Sequence, residues 1–248
     1  VKSNYSILAV KAYDVEGIAK ALADKKKEFV LLTLQNGFKI KERILKYYTK
    51  VISGLTYQAS TFVKFGNVIH TASGLTLIEE GKYATEFERM LNLCELKAKV
   101  VSNINYEIWK KLIVNSAINP LSCITRLKNG ELIEDDAISN IMKKIIKECV
   151  DIANSLGLNI KFDEMVDYTW LVAKATADNK SSMLQDIEKG KITEIDFING
   201  EIVRMAKSIG KRAVFNEIIC DMVHDVEKGN EVSLSDLLNK ASIMVNVE

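Results

Sequence analysis

The sequence predicts an α/β region followed by an all-α region, and three observations carry that reading. Short apolar runs alternate with amphipathic stretches over roughly the first hundred residues. No convincing strand follows Val101, and beyond it apolar residues recur at helical spacing. A chain of 248 residues is long enough for two cores. The change of pattern puts the boundary near Ser102, giving units 1–102 and 103–248.

Tyr5 to Val10 and Phe29 to Leu34 are near-continuous runs of strand formers, the composition of strands covered on both faces of a parallel sheet. Between them Val15 to Lys27 reads as a crossover helix with Ile18, Ala21 and Leu22 facing inward. A helix over Lys39 to Tyr48 leads to a strand at Val51 to Gly54, and Gly54-Leu55-Thr56 reads as a turn. Thr61 to Phe65 and Asn67 to Thr71 alternate around Gly66, which predicts an antiparallel hairpin, with Leu75 to Ile78 as a third strand. A helix over Glu86 to Leu96 and a short run at Ala98 to Val101 complete the first unit.

In the second unit Ile141, Met142, Ile145, Cys149, Ile152 and Leu156 repeat at helical spacing before Gly157, a residue suited to a left-handed cap. Ile195, Ile198, Ile202, Met205 and Ile209 do the same from Thr193 to Gly210. Asn216 is placed to cap a third helix stopped by Gly229, and Ser233 to Glu248 suggests a further amphipathic helix.

Composition narrows the function classes. Lys+Arg 34 against Asp+Glu 33 leaves a net charge of +1, which gives no electrostatic case for nucleic acid or an anionic membrane. No window approaches eighteen consecutive apolar residues, and Val1 to Tyr5 lacks the layout of a signal peptide, so the reading is cytoplasmic. Cys94, Cys123, Cys149 and Cys220 are far apart in sequence and are expected as buried free thiols. With only His70 and His224 to add, no metal site is expected.

Tyr106 to Pro120, YEIWKKLIVNSAINP, holds the most informative pattern. At about 100° per residue its apolar side chains surround most of the helix, leaving a narrow polar stripe of Lys111, Asn115 and Asn119 at i, i+4 and i+8. A buried amide without a partner costs roughly 1–3 kcal/mol, and a buried ammonium costs more. The stripe therefore faces polar protein groups or a ligand. Alternatively Lys111 snorkels to water and the asparagines cap nearby backbone; at this point both readings stand. Lys110, on another face, reads as a solvated lysine.

IWKKLIVNSAINPL, with the NGEL of Asn129 to Leu132, resembles the central motif of ketopantoate reductases (2-dehydropantoate 2-reductases). Three further blocks match in order: VKAYD at Val10 to Asp14, LQNG at Leu34 to Gly37, and ATADNKSSMLQDIEKGKITEIDFINGEIV at Ala175 to Val203. The resemblance runs from about Tyr5 to Glu227. It implies a partial Rossmann-like dinucleotide-binding domain followed by a helical domain of the 6-phosphogluconate dehydrogenase C-terminal type. It also implies reduction of 2-dehydropantoate to pantoate with hydride from NADPH, on the route to pantothenate and coenzyme A. The partner implied is a small-molecule substrate; the oligomeric state stays open, with a homodimer as one alternative.

Residue by residue, the resemblance makes Lys111 the general acid and Asn115, Asn119 and Asn129 substrate-binding. Ser182 matches a substrate-bonding serine, with Asn179 to Ser181 the neighbouring strip. Read for itself, Ser182-x-x-Gln185 is a capping box. Glu194, at the start of the TEID helix, matches an acid near the catalytic lysine and the cofactor; without the match it reads as a first-turn acid on the helix dipole. Lys11 and Asn36 match the cofactor face, and Ser60 a position where backbone touches the cofactor.

The family's opening strand, GxGxxG loop and helix have no counterpart here, and Tyr57-Gln58 replaces other polar residues of many relatives. The expectation is a fragment of a longer reductase with weak NADPH affinity, little turnover and an open sheet edge. Two other readings are a reductase of another 2-keto acid and a non-catalytic helical dimerisation or interaction module.

Overall fold

The computed structural model describes residues 3–25 and 28–245. The predicted end of the first helix at Lys26 and Lys27, and the last three residues of the tail, lie outside the described residues. The chain divides into two compact units, 1–108 and 109–248. An α/β unit is followed by a helical one, as the patterning predicts.

The first unit begins with β1 (Tyr5–Leu8), a 3-10 turn (Ala12–Asp14), α1 (Val15–Asp24), β2 (Val30–Thr33), α2 (Ile40–Leu45) and β3 (Val51–Thr56). Then come β4 (Ala59–Lys64), β5 (Asn67–Ala72), β6 (Thr76–Glu79), α3 (Ala84–Leu93) and β7 (Ala98–Val101). Five strands form one sheet in the order β1-β2-β3-β6-β7. β1, β2 and β3 are parallel, β6 runs antiparallel to β3, and β7 is parallel to β6.

All four residues of β2 are buried, which explains its unbroken apolar run in place of an alternating one. Val30, Leu32, Ile52 and Ile78 form a core with Ala84, Phe87 and Leu91 of α3. In α1 the buried positions are Val15 and Ala19; Ile18 and Leu22 are half-buried, and Ala21 is exposed, contrary to the predicted inward set.

β4 and β5 form the expected hairpin, a separate two-stranded sheet in which β5 is exposed throughout. The strand after it does not extend the hairpin. β6 buries three of its four residues by pairing with β3 in the main sheet. Gly54-Leu55-Thr56, read as a turn, is instead the half of β3 that makes this pairing. Cys94 ends α3 and is exposed, while the other three thiols are buried. Burial pushes the Cys123 and Cys220 thiols up to about 12 and Cys149 higher still, so these three are inert at neutral pH.

The second unit takes up the chain within α4 (Ile104–Thr125). It continues through α5 (Glu131–Glu134), α6 (Asp136–Ser155), α7 (Phe162–Ala175), α8 (Ser182–Glu188), a 3-10 turn (Ile195–Phe197), α9 (Asn199–Ser208), α10 (Val214–Glu227) and α11 (Leu234–Val245). Gly157, Gly210 and Gly229 follow α6, α9 and α10 with φ of +92°, +70° and +84°, the left-handed ends expected from sequence.

Two helix readings change. The run from Thr193 breaks at Ile198, at φ −108° and ψ −92°, so Glu194 stands before a short turn and not in a helix. Asn216 is not a cap: it lies inside α10, fully buried.

Candidate active site

α4 is buried on almost every side: Trp109, Leu112, Ile113, Val114, Ala117, Ile118 and Leu121 are each at most 5% exposed. The polar stripe thus runs along a helix that water hardly reaches. Lys111 and Asn115 are half-buried and Asn119 is buried. Burial pushes the Lys111 ammonium down to about 8, and the Glu194 carboxylate acts against that shift by favouring the charged form. Glu194, 83 residues along the chain by the numbering, is thus electrostatically coupled to Lys111. Lys110 is not simply solvated, for its ammonium lies 4.8 Å from the centre of the Tyr168 ring.

Glu194 is buried. Its segment is fixed on the upstream side by Thr193, whose N–H donates to Glu227 Oε1 at 2.8 Å. The Thr193 hydroxyl accepts from the Ile195 N–H at 3.2 Å.

The loop between α7 and α8 gathers the remaining asparagines and serines. Asn129 N–H donates to the Asn179 carbonyl at 3.0 Å, and Gly130 N–H donates to the Ala177 carbonyl at 3.1 Å. Asn129 Nδ2 donates to Thr176 Oγ1 at 2.9 Å, and the Thr176 hydroxyl donates in turn to the Val172 carbonyl. With its one proton so used, Thr176 can only accept from Asn129, which fixes the orientation of the Asn129 amide. Thr176 is a residue that sequence reasoning missed, although it sits three places before Asn179 in the matched block.

Ser181, and not Ser182, caps α8 by accepting from the Leu184 N–H at 3.1 Å, and its hydroxyl also reaches the Asn119 carbonyl at 3.3 Å. The predicted box is therefore displaced by one residue, and Ser182 is an exposed first-turn residue outside the cap. Asn179 is exposed and contributes through its backbone.

A Cβ added at Gly130 would meet Ala177 Cβ at 2.6 Å and its Cα at 2.9 Å. Gly130→Ala must therefore separate the loop from Asn129. The expected loss is about 1–3 kcal/mol of stability, measurable by denaturant unfolding.

In the first unit, Leu8 of β1 and Thr33 of β2 are register partners in parallel strands. Lys11 and Asn36 each lie three residues beyond that pair and so emerge at the same carboxyl edge of the sheet. Ser60 lies instead on β4 of the exposed hairpin, opposite His70. Gln35 is locked beside Asn36, donating to the Leu8 carbonyl at 2.7 Å and accepting from Thr33. Among the described residues no His, Cys, Asp and Glu cluster could hold a metal, and no helix is long and apolar enough to cross a membrane.

Two family models fit this chain: "Ketopantoate reductase PanE/ApbA" over residues 2–83 and "Ketopantoate reductase PanE/ApbA C terminal" over residues 103–227. The chain belongs to the ketopantoate reductase family. It is 34% identical to the 2-dehydropantoate 2-reductase of Archaeoglobus fulgidus, over 92% of this chain and 78% of that protein. It is also 34% identical to the enzyme of the same name from Pyrococcus horikoshii, over 90% of this chain and 75% of that protein. Among solved structures, the PanE/ApbA family ketopantoate reductase from Ralstonia eutropha JMP134 superposes with a TM-score of 0.86 at 26% identity, over 92% of this chain and 76% of that one.

Proposed function

We propose that the chain binds 2-dehydropantoate through its helical unit and reduces the ketone to pantoate, with Lys111 as the proton donor. The observation that carries this reading is a half-buried lysine with a pKa near 8, coupled to a buried carboxylate, on a stripe shared with two asparagines. A donor with a pKa near working pH gives up its proton readily and is still largely protonated. Glu194 keeps Lys111 charged in a setting where burial would otherwise strip its proton. Because the protonated lysine is the active form, reduction falls as pH rises through about 8.

NADPH, when bound, supplies the hydride. Lys11 and Asn36, at the carboxyl ends of neighbouring parallel strands, fit the nicotinamide and ribose end of such a cofactor. No two of the chain's 12 glycines stand in G-x-G spacing, so a pyrophosphate cradle is not among these residues. Asn115, Asn119 and Asn129 offer amides that both donate and accept, suited to a hydroxyl and a carboxylate. Ser182 lies outside the α8 cap, so a substrate-bonding role for its hydroxyl does not compete with capping.

Thermal unfolding with pantoate and with NADPH, alongside NADPH oxidation on 2-dehydropantoate, tests the reading. A ligand present at a hundred times its Kd stabilises the fold by about 2.7 kcal/mol, so pantoate is expected to raise the melting temperature clearly. No shift with pantoate, together with no ketone-dependent oxidation of NADPH, overturns it.

A further inference from the structure

Pro120 lies inside α4. Proline has no N–H, so the carbonyl four residues earlier, that of Ser116, loses its helical donor. Ser116 is fully buried, and its own hydroxyl is taken by the Leu112 carbonyl at 2.8 Å. The sequence NSAINP thus creates one buried acceptor that something outside the helix must satisfy.

That donor is Asn199, the fully buried first residue of α9, whose Nδ2 lies 3.0 Å from the Ser116 carbonyl oxygen. The second Nδ2 proton goes to Asn216 Oδ1 at 3.0 Å. Asn216 is oriented in turn because its own Nδ2 donates to Glu148 at 2.8 Å, and an ionised carboxylate only accepts. Turning the Asn199 amide over would set its oxygen against two acceptors. The observed orientation leaves Asn199 Oδ1 buried and unpartnered among the described residues, and it is tolerated because the alternative is worse.

Only the short turn Ile195–Phe197 and Ile198 separate Glu194 from Asn199. Glu194 is therefore slung between two anchors: Thr193 on Glu227 upstream and Asn199 on Ser116 downstream. We propose that Asn199 is a positioning residue which, by taking the carbonyl that Pro120 frees, docks the Glu194 segment onto the helix that carries Lys111. The break at Ile198 is what turns the Asn199 side chain inward at the start of α9. The inference stands on the Asn199–Ser116 and Thr193–Glu227 hydrogen bonds that hold the Glu194 segment and rests on the reductase reading only for its effect on pantoate.

The test follows Lys111 itself. In the whole chain labelled with ¹³C at the lysine ε-carbon, the resonance lost in Lys111→Arg is expected to titrate near pH 8. Asn199→Leu is expected to lower that midpoint by about one unit, in the same direction as Glu194→Gln, since the charge that supports the ammonium is no longer held. It is also expected to weaken pantoate about tenfold.

Pro120→Ala restores a helical N–H for Ser116, so in the double variant Asn199→Leu with Pro120→Ala the melting temperature is expected to recover. The Lys111 midpoint is expected to stay low. Should Asn199→Leu alone fail to fold, the double variant carries the measurement. An unchanged midpoint in the Leu variants, or one restored together with stability by Pro120→Ala, would reduce Asn199 to a structural plug and overturn the proposal. Failure of the wild-type chain to bind pantoate would count against the reductase reading alone, because the lysine titration still decides this one.

Discussion

Lys111→Met is expected to raise the melting temperature of this chain at neutral pH while lowering turnover of 2-dehydropantoate by about 10²–10⁴-fold. The loss in rate follows from removing the proton donor for the developing alkoxide. The gain in stability follows from the direction of the lysine's shift. Burial, partly opposed by Glu194, lowers its pKa from 10.5 to about 8. Between those values the unfolded chain binds more protons than the folded one, so stability rises with pH across roughly 8 to 10.5.

Below pH 8 both forms are protonated and the penalty of holding a charge in a poorly hydrated place is fully present. At about 1.4 kcal/mol per unit it amounts to at most roughly 3.5 kcal/mol, and partial solvation of a half-buried side chain reduces it. Methionine fills the same channel without the charge, so the melting temperature should climb by roughly 3–8 °C at pH 7. The variant should also lose the rise in stability between pH 8 and 10.5 that the wild type shows. Thermal melts across that pH range, read beside the rate, check both halves. A methionine variant less stable than wild type at pH 7 would mean that Lys111 is a structural cation and not a functional one held at a cost in stability.

The stripe was legible in sequence because a single helix carries it: three polar residues at i, i+4 and i+8 in an otherwise apolar run need only helical geometry to be aligned. The strand β2 was legible for a similar reason, since burial on both faces leaves an unbroken apolar signature. β1, by contrast, lies at the edge of the sheet with Ile7 exposed and is not covered on both faces as its run predicts. What escaped depends on partners distant in the chain. The local sequence marks β6 as a strand but cannot say that it pairs with β3 and abandons the hairpin next to it in sequence. Asn216 ahead of an apolar run has the look of a cap, and only the fold shows Glu148, 68 residues away, receiving its amide. Adjacent Ser181 and Ser182 differ by one residue in helical phase, and the choice between them is made by the Asn119 carbonyl. Likewise nothing local marks the break at Ile198, which starts α9 at Asn199 in reach of the carbonyl that Pro120 frees.

Glu148→Leu is expected to cost about 3–5 kcal/mol, a larger loss than that of an average buried apolar truncation at the rim of a core. The first turn of α10 has no cap of its own, since the residue before it is Ala213. Glu148 of α6 supplies one from outside, accepting from the Phe215 N–H at 2.8 Å, the Asn216 N–H at 3.1 Å and Asn216 Nδ2 at 2.8 Å. The negative charge also faces the positive end of the helix dipole. Burial nonetheless pushes its pKa above the usual carboxylate value, outweighing the three donors, which act to lower it. The folded chain therefore holds this proton more tightly than the unfolded one, and the carboxyl's ionisation removes stability as pH rises through the range just above 4.5. The cost of Glu148→Leu thus comes from three donors left without an acceptor and not from a lost charge. Glu148→Gln, which keeps one accepting oxygen and turns an amide toward the remaining donors, should lose less than the leucine variant but still be measurable by denaturant unfolding. Because Asn216 then loses the group that orients its amide, the leucine variant should also loosen Asn199 and shift the Lys111 titration downward. If both variants melt within about 1 kcal/mol of wild type, α10 is capped by something other than Glu148, and the relay from Glu148 through Asn216 to Ser116 does not carry orientation to the site.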